Sequence, residues 1–287
     1  MLNLLQSALA GLAAGGAYAL LGVCVVLLYR MVGVLNFSTA AVGAFGAYAS
    51  LEFLELSWPY WAAALGGIAV GTLLSGGIGW IMSRWSFEVS VGVRSTVTIA
   101  LLIGLLALAH RAFGDAPRAV PSAFPGASVD LGITVSGDAL LALGLATALA
   151  LGVGAFLNRT LLGVQLRALS ERPTTAELLG IPARRLSMLV WLFGGAAATA
   201  AVLVIAPTRP ADFGSLSFLV LPAMAAALLG LFQNFTATLL GGVAVGLLEG
   251  LATYFDAVSP YRSVLPFVMV LLALLWTQRG EVWDAAR

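Results

Sequence analysis

Read for hydrophobicity alone, the chain is a succession of long apolar stretches separated by short polar breaks. Residues 1–29 carry no charged side chain, and further uncharged runs occupy 31–51, 57–83, 95–109, 139–157, 186–206, 213–248 and 263–278. A helix needs about 20 consecutive, mostly apolar residues to cross a bilayer. The run 213–248 is too long for one crossing and is interrupted near its middle by Gln233-Asn234, so it divides into two short passes. The pattern predicts nine hydrophobic segments, at 8–29, 38–55, 58–82, 95–113, 138–157, 186–206, 216–232, 235–254 and 263–278. The expected fold is all-α: one polytopic membrane helical bundle spanning 1–287, with about eight or nine transmembrane or partly re-entrant segments. The first segment lacks a basic leader and is followed by many more spans, so it reads as a membrane helix and not as a signal peptide.

Arginine placement orients the bundle. One set of breaks holds Arg30, Arg84, Arg94, Arg159, Arg167, Arg172, Arg184, Arg185 and Arg279, while the other holds only Arg111, Arg118, Arg209 and Arg262. Basic residues accumulate on the cytoplasmic side, so the first set is expected there, with the amino terminus outside. The outer breaks instead collect Glu52, Glu55, Asp115, Asp130, Asp138, Asp212 and Asp256. Two connections are long: 112–137, expected outside, and 158–185, expected in the cytoplasm. The outer one is punctuated by Pro117, Pro121 and Pro125-Gly126, which forbids a long helix there.

Composition agrees and narrows the chemistry. With 61% hydrophobic residues, 9% charged residues and a mean hydropathy of +1.02, no water-facing surface can be built. A net charge of +1 offers no field for nucleic acid. Cys24 and His110 are the sole residues of their types, which argues against a disulfide, a structural zinc site or any metal centre. Lysine is absent, so the chain has no phosphate-loop lysine for ATP hydrolysis and no Schiff-base lysine. Neither an enzymatic role nor a cofactor is expected.

The inner connection is the most informative stretch. Pro173 suits the first turn of a helix, Gly180 supplies a left-handed stop and Pro182 prevents continuation. The result is a short helix carrying Ala176, Leu178 and Leu179, too brief to stand alone. Such a helix either lies on lipid headgroups or docks on a soluble partner.

The pattern Gly163-x-x-x-Arg167-Ala168, followed by Glu177-Leu178-Leu179-Gly180-Ile181, resembles the cytoplasmic coupling loop of branched-chain amino-acid permeases of ATP-binding-cassette importers, the LivH/LivM type. Leu12 to Tyr29 is similar to that family's first span. Asn36-Phe37-Ser38 with Gly43 to Tyr48, and Gly241-Gly242 with Gly246 and Glu249, are similar to two further segments, all in order along the chain. Ser38-Thr39-Ala40 and Arg172-Pro173-Thr174-Thr175 depart from the family's usual residues. The resemblance implies a permease subunit in a bacterial inner membrane that translocates a small organic solute, branched-chain amino acids by default. It further implies a second, homologous but non-identical permease, two cytoplasmic ATPases and an external solute-binding protein, for which 112–137 offers a docking surface or else only a lid-like connector. Arg167, Ala168, Ala176, Leu178, Leu179, Gly180 and Ile181 are then the coupling residues. An ion-coupled secondary transporter is the alternative, but it wants several intramembrane carboxylates.

Within the membrane, packing devices outnumber chemistry. Gly67, Gly71, Ser75 and Gly79 form a stripe of small residues suited to close helix approach. Asn36-Phe37-Ser38 with Gly43 and Asn234-Phe235-Thr236 with Gly241 repeat one pattern, the kind of internal echo found where transporter helices are broken. Asn36, Ser38, Asn234 and Thr236 are therefore candidates for the substrate path, or simply helix starts at the cytoplasmic border. Glu249 is the one ionisable side chain well inside a span, a functional candidate by default, with Thr253 and Tyr254 as nearby partners for it.

Overall fold

The computed structural model describes residues 2–85, 90–114, 116–130, 134–208 and 212–278; Asp115, Arg209 and Arg279 lie outside them. Each of the nine predicted segments falls on helix. In order these are α1 (Leu2–Ala10) running almost directly into α2 (Leu12–Val32), α3 (Thr39–Glu55), α4 (Tyr60–Trp85), α5 (Val91–Phe113) and α6 (Gly137–Arg159). The inner connection contributes α7 (Leu161–Glu171) and α8 (Pro173–Leu178). Then follow α9 (Ala183–Ile205), α10 (Phe213–Ser217), α11 (Val220–Leu229), α12 (Phe235–Ala252) and α13 (Leu265–Gln278). Among the described residues, six helices are long and apolar enough to cross a membrane by length and composition; α3, α10–α11 and α13 are shorter. At 1.5 Å per residue, the 17 residues of α3 reach about 26 Å, short of a hydrocarbon core of about 30 Å.

The bundle is organised around α2. Of the most apolar 18-residue window in 3–32, 94% is buried inside the protein, against 22% for α5 and 28% for α6. α2 is thus wrapped by protein and α5 and α6 face outward. It packs against α6, α9, α11 and α12, and small residues make this possible. A side chain at Gly246 would meet the backbone of Gly15 and Gly11, and one at Gly242 would meet Ala19. Without a hydrophobic driving force in lipid, such close packing is a main source of helix association. The predicted small-residue stripe of α4 works the same way against α3 and α9. Gly71 abuts Thr199, Gly79 abuts the Trp191 ring, and the Ser75 hydroxyl donates to the Trp191 carbonyl at 2.6 Å.

The two long connections lie at opposite ends of α6. The 112–137 connection contains a two-stranded antiparallel hairpin, β1 (Ser128–Asp130) with β2 (Thr134–Ser136), a small departure from an all-helical chain. Arg118 ties this connection to the end of α3 by an ion pair with Glu52 at 2.6 Å. Phe45, Tyr48, Phe113 and Phe213 join α3, α5 and α10 at the same end.

Candidate functional site

The 158–185 connection is two helices, where the sequence suggested one. Thr160 caps α7, its hydroxyl accepting from the Gly163 N–H at 3.0 Å, and the apolar spacing Leu166–Leu169 turns one face inward. Arg167 and Ala168 are half-buried on this helix. The Arg167 Nε is buried without a hydrogen-bond partner. α8 begins at Pro173 as predicted and stops at Gly180, whose φ of +83° is the left-handed conformation that favours glycine. The Ile181 N–H closes this stop on the Ala176 carbonyl at 3.0 Å. Ala176 is buried and Ile181 half-buried against the bundle, whereas Leu178 and Leu179 are 84% and 78% exposed. The helix is anchored through its alanine and presents its leucines outward.

The two Asn-Phe-hydroxyl turns lie at the same end of the bundle as α7–α8. Arg30 donates to the Gln233 carbonyl at 2.7 Å and sits over the Phe235 ring, while Tyr29 packs on Phe232. Asn234 caps α12 with its amide, whereas Asn36 braces the turn that leads into α3, whose cap position is Ser38. Asn234 Oδ1 accepts from the Thr236 and Ala237 N–H groups at 3.0 and 3.1 Å. Asn36 Oδ1 accepts from the Ser38 N–H and hydroxyl at 3.0 and 2.7 Å. Their settings differ: Asn36 and Ser38 are sealed in protein, while Asn234 and Thr236 are exposed beside Arg30 and Asn158 in an open cleft of about 570 Å3. The chain enters the second turn through Leu231 and Phe232 at φ of +52° and +53°, a strained left-handed pair for side-chain-bearing residues.

Glu249 is buried near the far end of α12, and its carboxylate accepts from the Tyr18 hydroxyl of α2 at 2.7 Å. The nearer candidates have other engagements: the Thr253 hydroxyl donates to the Gly250 carbonyl, and Tyr254 packs on Phe255. The Glu249–Tyr18 bond therefore fastens the seam between α2 and α12. It lies at the opposite end of α12 from Asn234 and Thr236, so the structure does not gather the five predicted path residues into one pocket. No group of three or more metal-ligating side chains occurs among the described residues.

A bundle of six membrane-length apolar helices among the described residues, one of them buried at its centre, is the form of a polytopic membrane protein. The chain belongs to the branched-chain amino acid transport system permease component family, whose model matches residues 7–274. It is 24% identical to the high-affinity branched-chain amino acid transport system permease protein BraD of Pseudomonas aeruginosa, over 96% of this chain and 94% of that one. It is 23% identical to LivH of Escherichia coli K12, over 97% and 95%. Among solved structures, an inward-facing metal-chelate type ABC transporter superposes with a TM-score of 0.50 at 17% identity, covering 96% of this chain and 84% of that chain, a likeness of fold alone. The chain is a multi-pass bacterial membrane protein and the permease subunit of an ATP-binding-cassette system, working with ATPase and permease partners; hydrolysis lies in the separate ATPase subunits. Nothing in these relationships favours ion coupling.

Proposed function

We propose that this permease takes up branched-chain amino acids or closely related small aliphatic solutes, and that α7–α8 is the cytoplasmic element on which an ATPase subunit docks. The observation that carries the docking assignment is the placement of Leu178 and Leu179: two adjacent leucines held outward, on a helix fixed from behind by Ala176 and Ile181. Leucine exposed to lipid is at ease, but at an aqueous end of the bundle it calls for a partner. Arginine placement puts that end in the cytoplasm. The amino-acid assignment draws on the names of the relatives, and with it come a homologous, non-identical second permease and an external solute-binding protein facing the 112–137 connection.

Copurification tests the docking. Leu178→Asp and Leu179→Asp are expected to leave the permease abundant in the membrane while ATPase association weakens by about tenfold or more, each buried leucine contributing on the order of 1.5–3 kcal/mol. Leu56→Asp, an exposed leucine at the other end, is expected to spare the ATPase. Normal ATPase retention and uptake in the inner variants would reduce α8 to an interfacial connector. A thermal-shift panel on the partner binding protein, with leucine, isoleucine and valine against unrelated solutes, tests the substrate class.

A further inference from the structure

α6 and α9 both pack on α2, and between them they leave a groove of about 510 Å3. Leu27 of α2 forms its floor, Val153 and Leu157 of α6 one wall, and Leu186 and Val190 of α9 the other, all buried. Leu162 and Leu166 of α7 line the end next to the docking pair. The rim is as apolar as the floor: Phe156, Leu162, Leu189 and Phe193 stand there, 40–49% exposed.

Every lining residue is apolar or glycine, so water finds no side chain to bond and the groove wants an apolar occupant. Left void, it would deprive the lining of dispersion contacts on one side. A partner's helix is too thick for it. At a diameter of about 10 Å and a pitch of about 5.4 Å, one turn of helix takes up roughly 420 Å3, so the groove would hold little more than a single turn. An unbranched acyl chain is slender enough to lie lengthwise. Along α6 the lining runs from Ala148 to Leu157, about 14 Å at 1.5 Å per residue. That matches one leaflet of hydrocarbon, about 15 Å, half of a core of about 30 Å.

The charges beyond the groove select the lipid. Arg159 follows Phe156 at i+3 and Gly152 at i+7, continuing the row of α6 that lines the groove, and Arg185 precedes Leu189 by one turn of α9. Both arginines are exposed, and neither forms an ion pair among the described residues. An acyl chain gains no hydrophobic free energy by leaving its lipid neighbours for an apolar groove, so selection falls to the headgroup. Two guanidiniums at the membrane border favour a headgroup of net negative charge.

We propose that the groove between α6 and α9 is a lipid site, holding one acyl chain of an anionic phospholipid whose headgroup rests on Arg159 and Arg185. The chain is a wedge between the helices that lead into and out of the docking pair, and it touches α7 through Leu162 and Leu166. It thereby keeps α6, α7 and α9 at fixed separation. The site stands whether or not an ATPase docks on α7–α8.

The test is crosslinking, in proteoliposomes of the assembled transporter, by phosphatidylglycerol or phosphatidylcholine carrying a photoreactive group midway along one acyl chain. Peptide mapping is expected to place the adducts around Phe156, Leu162 and Phe193, with phosphatidylglycerol favoured by about tenfold. Gly152 lies on the lining, and an added side chain there meets nothing within 4 Å. Gly152→Phe therefore plugs the groove and is expected to cut the adducts about tenfold while membrane abundance holds. Gly144→Phe, equally open but outside the groove, is expected to leave them unchanged. Where Gly152→Phe does not fold, Ala148→Phe is the second plug. Arg159→Gln combined with Arg185→Gln is expected to equalise the two lipids without moving the adducts. Adducts absent from the groove in wild type, adducts unchanged by a folded plug variant, or equal labelling of wild type by the two lipids would each overturn the proposal. Efficient disulfide formation between Gly152→Cys and a cysteine on the second permease would also overturn it, and would assign the groove to a contact between subunits.

Discussion

The seam between α2 and α12 and the α7–α8 pair treat apolar surface in opposite ways. Along the seam, Gly11 and Gly15 face Gly246 and Gly250 so closely that no side chain fits, and nothing remains to be covered. On α8 only Ala176 is buried, and two leucines stand out. Neither exposure nor burial of an apolar residue has meaning until its solvent is known. Leu240 on α12 and Leu271 on α13 are 65% and 57% exposed, yet within membrane segments they need no partner beyond lipid. The same exposure on α8, among arginines at the end of the bundle, is the ground for the docking proposed above.

The largest effect is expected in the seam. Gly246→Leu would drive a side chain into the α2 backbone, an overpacking cost of about 3 kcal/mol or more. The folded, monodisperse permease should be lost on fluorescence-detected gel filtration. Gly144→Leu, on α6 with open space around it, should be tolerated; equal loss in both would mean that the seam is not special.

A smaller effect, confined to coupling, is expected at the α8 stop. Gly180→Val forces a β-branched residue to the left-handed φ of +83°, costing on the order of 1–3 kcal/mol locally. ATPase copurification and uptake should fall together while membrane abundance holds. Loss of abundance instead would show α8 to be part of the folding core.

The two Asn-Phe-hydroxyl turns sharpen the contrast further. Asn36→Ala strands the buried N–H and hydroxyl of Ser38, about 1–3 kcal/mol. Asn234→Ala removes an exposed cap worth about 1 kcal/mol. Thermal unfolding in detergent should rank Asn36→Ala below Asn234→Ala, and the reverse order would contradict the burial difference.

The least effect on stability is expected from Glu249→Gln, which keeps an acceptor for Tyr18 while removing the charge. Insertion should be normal and uptake reduced. Uptake unchanged from wild type at every pH would leave Glu249 with the purely structural task of fastening α12 to α2.

Much of the fold was legible because a bilayer imposes its own length: each of the nine predicted segments falls largely on helix. Pro173 and Gly180 delimited α8 for equally local reasons, a fixed φ at one end and a permitted left-handed φ at the other. α7 was passed over as loop, although Thr160 before Leu161-Leu162 and the Leu166–Leu169 spacing carried its signal. The hairpin of 128–136 had no such signal, since three-residue strands lie below any readable alternation.

What the amino-acid order determined by itself was therefore everything set within one helix turn or one bilayer thickness: segment positions, arginine asymmetry, helix starts and stops, and the absence of a lysine for ATP chemistry. Tertiary structure alone decided which helix lies at the centre, since α6 is at least as apolar as α2 and yet faces outward. It also chose Tyr18, 231 positions away, as the partner of Glu249, where the chain nearby had offered Thr253 and Tyr254. And it sealed one Asn-Phe-hydroxyl turn while leaving the other open, because burial depends on the neighbours that long-range packing brings, and two like segments can have unlike neighbours.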